Sequence, residues 1–395
     1  MPLALQVGRP DIGTRFAIRV PEAELEDLAQ RLRMTRWPDS LPNDSDDTWA
    51  DGTQLRWLQA ICDYWAHGFD WRAQERALNR FPQFQLDIAG QPLHFIHQRS
   101  RQPIARPLLL LHGWPGSFIE FRHVIDALTD PIAHGGRAED AFHVVVPSLP
   151  GYGFSEAPRR HGCNGRVCAE RFQTLMAKLG YRDYLAQGGD WGSQIATWLG
   201  ALDPACAALH LNLVFARKPR NEDPFAGVSH AERARLEASR GRTRNGLGYQ
   251  DIQGTKPQTL GYGLNDSPVG LAAWILEKFH AWSDHDGDPL AAISREDMLT
   301  NVALYWFTRS ITSSMRLYYE QRQHPSDPPV PEYVDKPTAV AAFPGELHLP
   351  PPAWIERSYR LARYSLQPKG GHFAALEVPD LLIEDLRNCV ASLST

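Results

Sequence analysis

Apolar residues recur along this chain at two periods, and the switch between them divides it. Between residues 21 and 34, Leu25, Leu28 and Leu32 fall near one face of a helix, with Pro21 at a first-turn position, acids early and basics late. A Pro/Asp-rich segment, Trp37 to Asp47, separates it from a second helical stretch that carries Trp57, Trp65 and Trp71 and ends near Asn79. Together they form an N-terminal meander, expected to wrap a larger body. From Phe81 the period becomes two. Phe84, Leu86 and Ile88 alternate with polar or small residues, and Leu93 and Phe95 resume after the turn signal Gly90-Gln91-Pro92, as in a hairpin.

From about residue 105, short apolar runs alternate with helical stretches, the pattern of a mostly parallel sheet with helices on both faces. Leu108 to Leu111, Phe142 to Val146, Tyr184 to Gln187 and Leu209 to Leu213 read as strands; residues 165–179 and Ser193 to Leu202 read as helices. The alternation then stops. Residues 215–335 are helical and loop-rich, with a Gly/Arg/Asn-rich piece at Arg240 to Gly248 and a Pro-rich one at Pro325 to Pro331, and are expected to form a cap over the sheet's C-terminal edge. Strand signals return at Thr338 to Phe343 and Tyr364 to Gln367, and a helix closes the chain. The expected division is meander and first strands over 1–104, core over 105–214, cap over 215–335 and the second part of the core over 336–395, an α/β class of fold.

Composition adds mostly exclusions. The net charge of −5 over 395 residues leaves no basic footprint for nucleic acid. Five cysteines (Cys62, Cys163, Cys168, Cys206, Cys389) fit no common zinc or redox spacing and read as reduced thiols of a cytoplasmic protein. Met1 to Val20 lacks the apolar core of a secretion signal, and no apolar run approaches the ~20 residues of a membrane helix, so no membrane partner is expected.

The chemistry concentrates in Gly188-Gly189-Asp190-Trp191-Gly192, which has the form of a strand-to-helix nucleophile elbow with aspartate in the usual place of serine. A serine attacking an sp³ carbon would leave an ether that a triad cannot cleave. An aspartate leaves an ester, which water can hydrolyse, and it needs no base to ionise because an unperturbed Asp titrates near ~3.9. A histidine is then free to activate that water. Glu346, in Phe343-Pro344-Gly345-Glu346-Leu347, and His372, in Gly370-Gly371-His372-Phe373, follow in the chain order nucleophile, acid, histidine. The segment His112-Gly113-Trp114-Pro115-Gly116-Ser117 follows a strand where this kind of site supplies an oxyanion donor. The backbone N–H groups of Trp114 and Trp191 are therefore expected to form the hole, with His112 a structural hydrogen-bonder.

With those motifs, together with Asn265-Asp266-Ser267-Pro268-Val269-Gly270-Leu271 and Gly370-Gly371-His372-Phe373-Ala374-Ala375, the chain resembles the microsomal type of epoxide hydrolase, within the α/β-hydrolase superfamily. The resemblance covers nearly the whole chain, meander included, and implies an α/β-hydrolase fold; a counterpart of the N-terminal membrane anchor of the animal enzymes is not expected. It also implies two cap tyrosines that hold the epoxide oxygen. These match Tyr249 in Gly248-Tyr249-Gln250-Asp251 and Tyr318 in Arg316-Leu317-Tyr318-Tyr319-Glu320, with Tyr319 a competing neighbour.

The reading is an epoxide hydrolase that forms a vicinal diol through an aspartyl ester, with no cofactor and no metal. Its partners would be a small apolar epoxide and water; oligomeric state, a homo-oligomer included, and pathway, detoxification included, stay open. A haloalkane dehalogenase shares the Asp-Trp pair, but its halide calls for N–H donors and not phenols. A non-catalytic ligand-binding relative should have lost a triad station, and none is missing. The Asp284-His285-Asp286-Gly287-Asp288 stretch has Pro289 where a calcium loop needs glycine, so it reads as a polar turn.

Overall fold

In the computed structural model, which describes residues 11–41 and 49–393, a short strand β1 (Thr14–Phe16) precedes helix α1 (Glu22–Arg33). Residues 1–10 of the segment lacking a secretion pattern and 42–47 of the Pro/Asp-rich segment lie outside the described residues. Pro21 is the residue before the helix, one position earlier than expected, and Leu28 and Leu32 are buried. The second helical stretch is two helices, α2 (Leu55–His67) and α3 (Trp71–Asn79). The apolar stripe runs through the break, but Gly68 closes α2 with its N–H on Tyr64 O (2.7 Å) and the Asp70 side chain caps α3.

The hairpin pairs β2 (Gln83–Ile88) with β3 (Gln91–Gln98). Its turn is only Ala89-Gly90, with φ of 55° and 78°, the left-handed pair that matches strand twist; Gln91 and Pro92 already belong to β3. Next come β4 (Arg106–Leu111), α4 (Ile125–Thr129), β5 (Phe142–Pro147), α5 (Gly165–Lys178), β6 (Tyr184–Gly188), α6 (Asp190–Leu202) and β7 (Cys206–Leu211). Helix α6 starts at Asp190, three residues before the sequence expectation, and β7 begins and ends earlier because its first half is alanine-rich.

Six helices follow: α7 (His230–Thr243), α8 (Gly248–Thr255), α9 (Pro257–Leu264), α10 (Pro268–Trp282), α11 (Arg295–Thr308) and α12 (Ile311–Gln323). The chain then returns through β8 (Val334–Ala342), α13 (Pro352–Ile355), β9 (Tyr359–Leu366), α14 (Ala374–Glu377) and α15 (Pro379–Leu393). The part of β9 before Tyr364 carries Arg360 and Arg363 on a half-exposed edge strand, which hid it from an apolar count.

The sheet order is β1-β2-β3-β5-β4-β6-β7-β8-β9. The first four strands pair antiparallel, and β5, β4, β6, β7, β8 and β9 run parallel. Successive residues of β7 point to opposite faces: Leu209 meets Gly200 of α6, while His210 bonds Asp385 of α15 at 3.0 Å. Helices therefore cover both faces, as an α/β-hydrolase sheet requires. Because the crossovers change direction around β4, its C-terminal end and that of β6 open onto a crevice. The meander is tied to the helices that follow β7. Arg31 pairs with Asp266 (2.8 Å), Tyr64 donates to Glu296 (2.7 Å), and Thr53 donates to Ala273 O (2.9 Å). In the Asn265–Leu271 motif, Ser267 caps α10 through Gly270 N–H and Asn265 donates to Thr312 of α12.

Candidate active site

Strand β6 delivers its last residues into a turn with almost no spare room. Asp190 has φ of 44°, a left-handed value that costs a non-glycine residue energy and throws its carboxylate out of the sheet. The chain can pass so close to β4 only because position 192 is glycine: a Cβ there would lie 2.0 Å from Leu111 O. The same holds opposite, where a Cβ on Gly113 would lie 2.1 Å from Asp190 Oδ1.

The end of β4 supplies a donor. Trp114 N–H donates to Asp190 Oδ1 at 2.7 Å. Trp191, second residue of α6, has one of the first-turn amides that an α-helix leaves without an internal acceptor. His112 is fully buried, and burial pushes its pKa down to about 4. As a neutral ring it donates from Nδ1 to Gly113 O and accepts from Leu149 N–H at Nε2, both 3.1 Å. Two residues of α11 that no motif singles out hold the rest of this loop: Asn301 donates to Pro115 O (2.8 Å) and Tyr305 to Gly116 O (2.7 Å).

Beyond β8, Glu346 is completely buried and accepts at Oε1 from His372 Nδ1 (2.7 Å) and from Leu347 N–H (2.6 Å). His372 Nε2 lies 3.5 Å from Asp190 Oδ2. Burial disfavours the imidazolium, but Glu346 and Asp190 on either side overcome it and raise the His372 pKa well above its ordinary value. The loop that carries His372 is pinned from outside the core. His372 N–H donates to Trp282 O (2.9 Å) and Gly370 N–H to Asp284 Oδ2 (2.8 Å). Glu377 accepts from the amides of Asp284, Gly371 and Phe373 at 2.7, 2.9 and 2.8 Å. Burial pushes the Glu377 carboxyl up to about 7. The polar turn at 284–288 is thus an anchor for the histidine loop, a role visible only once the segment after α10 meets the loop after β9.

Tyr249 on α8 and Tyr318 on α12 meet over Asp190, their rings 5.7 Å apart at 77°. Tyr249 stacks on Trp114 (5.2 Å, 10°) and Tyr318 stands edge-on to Trp191 (4.8 Å, 86°). Burial, then the Asp190 charge, raises the Tyr249 pKa; burial, then Tyr249 and Asp190, raises that of Tyr318, so both phenols stay protonated at neutral pH. Tyr319 points elsewhere, against His161 and His324. A cleft of about 340 Å3 opens above Asp190, walled by Trp191, Phe215, Tyr249 and Tyr318 and rimmed by Gln194, Gln250, Asp251 and Arg322.

A second polar cluster gathers His161, Glu320 and His324, with possible ligand atoms within 4.8 Å of one another. Glu320 already accepts from His161 Nδ1 (2.7 Å) and Gly162 N–H (2.6 Å), and Arg159, Arg160 and Arg316 line the adjoining cavity. Such a cationic setting suits a hydrogen-bonded clamp between the 159–164 loop and α12 better than a metal.

Comparison with known proteins gives the chain's relatives. The family described as "Epoxide hydrolase N terminus" matches residues 13–121, and "alpha/beta hydrolase fold" matches residues 106–260. The chain is 40% identical to "Epoxide hydrolase 1" of Sus scrofa, over 96% of this chain and 88% of that one. Among solved structures, the epoxide hydrolase of Aspergillus niger superposes with a TM-score of 0.86 at 34% identity, covering 98% of each chain. The juvenile hormone epoxide hydrolase of Bombyx mori gives 0.87 at 32%, covering 96% of this chain and 94% of that one.

Proposed function

The chain belongs to the epoxide hydrolase family, and on that premise we propose that it converts apolar epoxides to vicinal diols through an ester on Asp190. Asp190 Oδ2 attacks an epoxide carbon; the C–O bond breaks, and its oxygen takes a proton from the Tyr249 and Tyr318 pair. In the second step water gives a proton to His372 Nε2 and its oxygen adds to Asp190 Cγ. The oxyanion develops on Oδ1, where the Trp114 amide already donates, joined by that of Trp191. The intermediate collapses and the alkoxide leaves with the proton from His372. The proton of the restored carboxylic acid returns to the tyrosinate.

The observation that carries this reading is His372, 2.7 Å from Glu346 and 3.5 Å from Asp190. Its raised pKa also orders the two steps. While Asp190 is ionised His372 holds its proton; esterification removes that charge, the pKa falls and the ring gives this proton to solvent, so that it is a base when water must be activated, and it takes a proton back from solvent once the carboxylate is restored. No step calls for a metal or cofactor. The apolar walls of the cleft support an apolar epoxide. Five buried, free cysteines support a cytoplasmic setting, and no helix of the described residues is long and apolar enough to cross a membrane.

The test is a single turnover in water labelled with heavy oxygen. Label should enter Asp190, Asp190→Ala should abolish diol formation, and His372→Gln should leave the ester in place. Diol from Asp190→Ala would refute the mechanism.

A further inference from the structure

Asp190 separates two spaces. On one side lies the cleft under the tyrosines; on the other, a pocket of about 20 Å3 is bounded by Gly113, Trp114, Glu120, Asp190 and His372. One water needs roughly 10–15 Å3 of such space and two to four polar partners. The pocket therefore has room for one water and little else.

Gln187 and Asn212, which also line this pocket, bond to each other (2.8 Å), and Glu120 is its ionisable group that the steps above leave unused. It is the third residue of a 3-10 turn, Phe118–His123, whose start is capped by Ser117. Its carboxylate folds back over the preceding loop so closely that a Cβ on Gly116 would lie 1.7 Å from Glu120 Oε1. Gly113 makes the same allowance for Asp190. The two glycines of His112-Gly113-Trp114-Pro115-Gly116 thus each admit one carboxylate, and the two acids face the same small space. Burial pushes the Glu120 carboxyl up to about 8, against the pull of His372 and with a further push from Asp190. An uncharged group at pH 7 adds no third negative charge beside Asp190 and Glu346.

We propose that Glu120 positions the hydrolytic water: it holds that water by a hydrogen bond on the side away from His372, so that the oxygen faces Asp190 Cγ while one proton goes to His372 Nε2. Glu120 gains and loses no proton over the step and touches no substrate atom. The proposal rests on the aspartyl-ester reading, and it assigns to Glu120 an effect on ester hydrolysis alone.

The test separates the two half-reactions by rapid-mixing single turnover with styrene oxide, the alkylated enzyme being quantified by mass spectrometry after acid quench. In Glu120→Ala, ester formation should stay within about threefold of wild type while ester hydrolysis slows about 10- to 100-fold, the scale of a misplaced reactant. The ester then accumulates, and kcat and KM fall together. Glu120→Gln, shaped like the uncharged acid, should recover hydrolysis to within about fivefold. Unchanged hydrolysis in Glu120→Ala, or an equal loss in both half-reactions, would overturn the proposal. If Glu120→Ala does not fold, Glu120→Asp decides: its carboxyl, withdrawn by one methylene, should slow hydrolysis and spare formation, and normal hydrolysis would overturn the idea. Absence of ester even in His372→Gln would bring down the aspartyl-ester reading beneath it; ester that forms and clears normally in the Glu120 variants would bring down this proposal alone.

Discussion

Around Asp190 the backbone fixes the geometry, whereas around Tyr249 and Tyr318 packing between helices does. The elbow has no slack: Gly192 lies against a strand carbonyl, Gly113 against the carboxylate, and Trp114 N–H is set by the end of β4. The tyrosines sit on α8 and α12, positioned by ring contacts with Trp114 and Trp191 and by an exposed Arg322–Asp251 pair (2.7 Å). The contrast matches the chemistry proposed for each half. Stabilising an oxyanion demands donors in place before charge appears. Substrate entry and epoxide orientation tolerate, and benefit from, walls that can adjust.

The sharpest way to break this comparison is at the glycines. Gly192→Ala forces a Cβ against Leu111 O, where neither backbone can yield, and should destabilise the protein by more than about 3 kcal/mol, measured by denaturant unfolding. Next in size, Tyr249→Phe should slow ester formation about 10²-fold while sparing ester hydrolysis, read by single-turnover kinetics; a loss confined to hydrolysis would reverse the assignment of halves.

Within the core, Asp190→Asn mimics the uncharged ester. One of the two charges that raise the His372 pKa is gone, so the ring should lose its proton at lower pH than in wild type, followed by nitrogen chemical shifts. Glu377→Gln cannot keep acceptors for all three loop amides and should cost about 1–3 kcal/mol of stability, with hydrolysis slowed more than ester formation. The smallest effect belongs to the cap. Gly263→Ala in α9 meets nothing within 4 Å and should be neutral or stabilising by up to about 1 kcal/mol, opposite in sign to Gly192→Ala.

The same division governs what could be read from the sequence. Asp190, Glu346 and His372 were legible because a nucleophile elbow and two strand-end stations are backbone devices, with glycines at fixed offsets and apolar runs before them. Tyr249 and Tyr318 were reached only through family resemblance, because a tyrosine in an amphipathic helix carries no mark of what it faces. The choice between Tyr318 and Tyr319 needed the rotation of α12. Glu120, Asp284, Asn301, Tyr305 and Glu377 were not read as parts of the site, since each acts through a contact between segments distant in sequence. In the fold, the split of α2 from α3 and the part of β9 before Tyr364 were hidden for a related reason: an apolar stripe passes through the first, and arginines interrupt the second.

The anchoring of the His372 loop bears on how such enzymes can be recombined. Its tethers, Trp282 O and Asp284, and the α11 residues that hold the Trp114 loop all lie within the stretch between β7 and β8. That stretch is therefore not an interchangeable module. A chimaera that imported residues 215–335 whole would replace the anchors of the base together with the substrate walls. One that exchanged only residues 248–264 would reshape the Tyr249 side of the cleft and keep Arg242 of α7, which donates to Pro344 O (2.7 Å) and Glu346 O (3.1 Å), along with the anchors of the base. What can be grafted is α8 with α9; the helices on either side of them carry supports of the base and its acid and must be inherited.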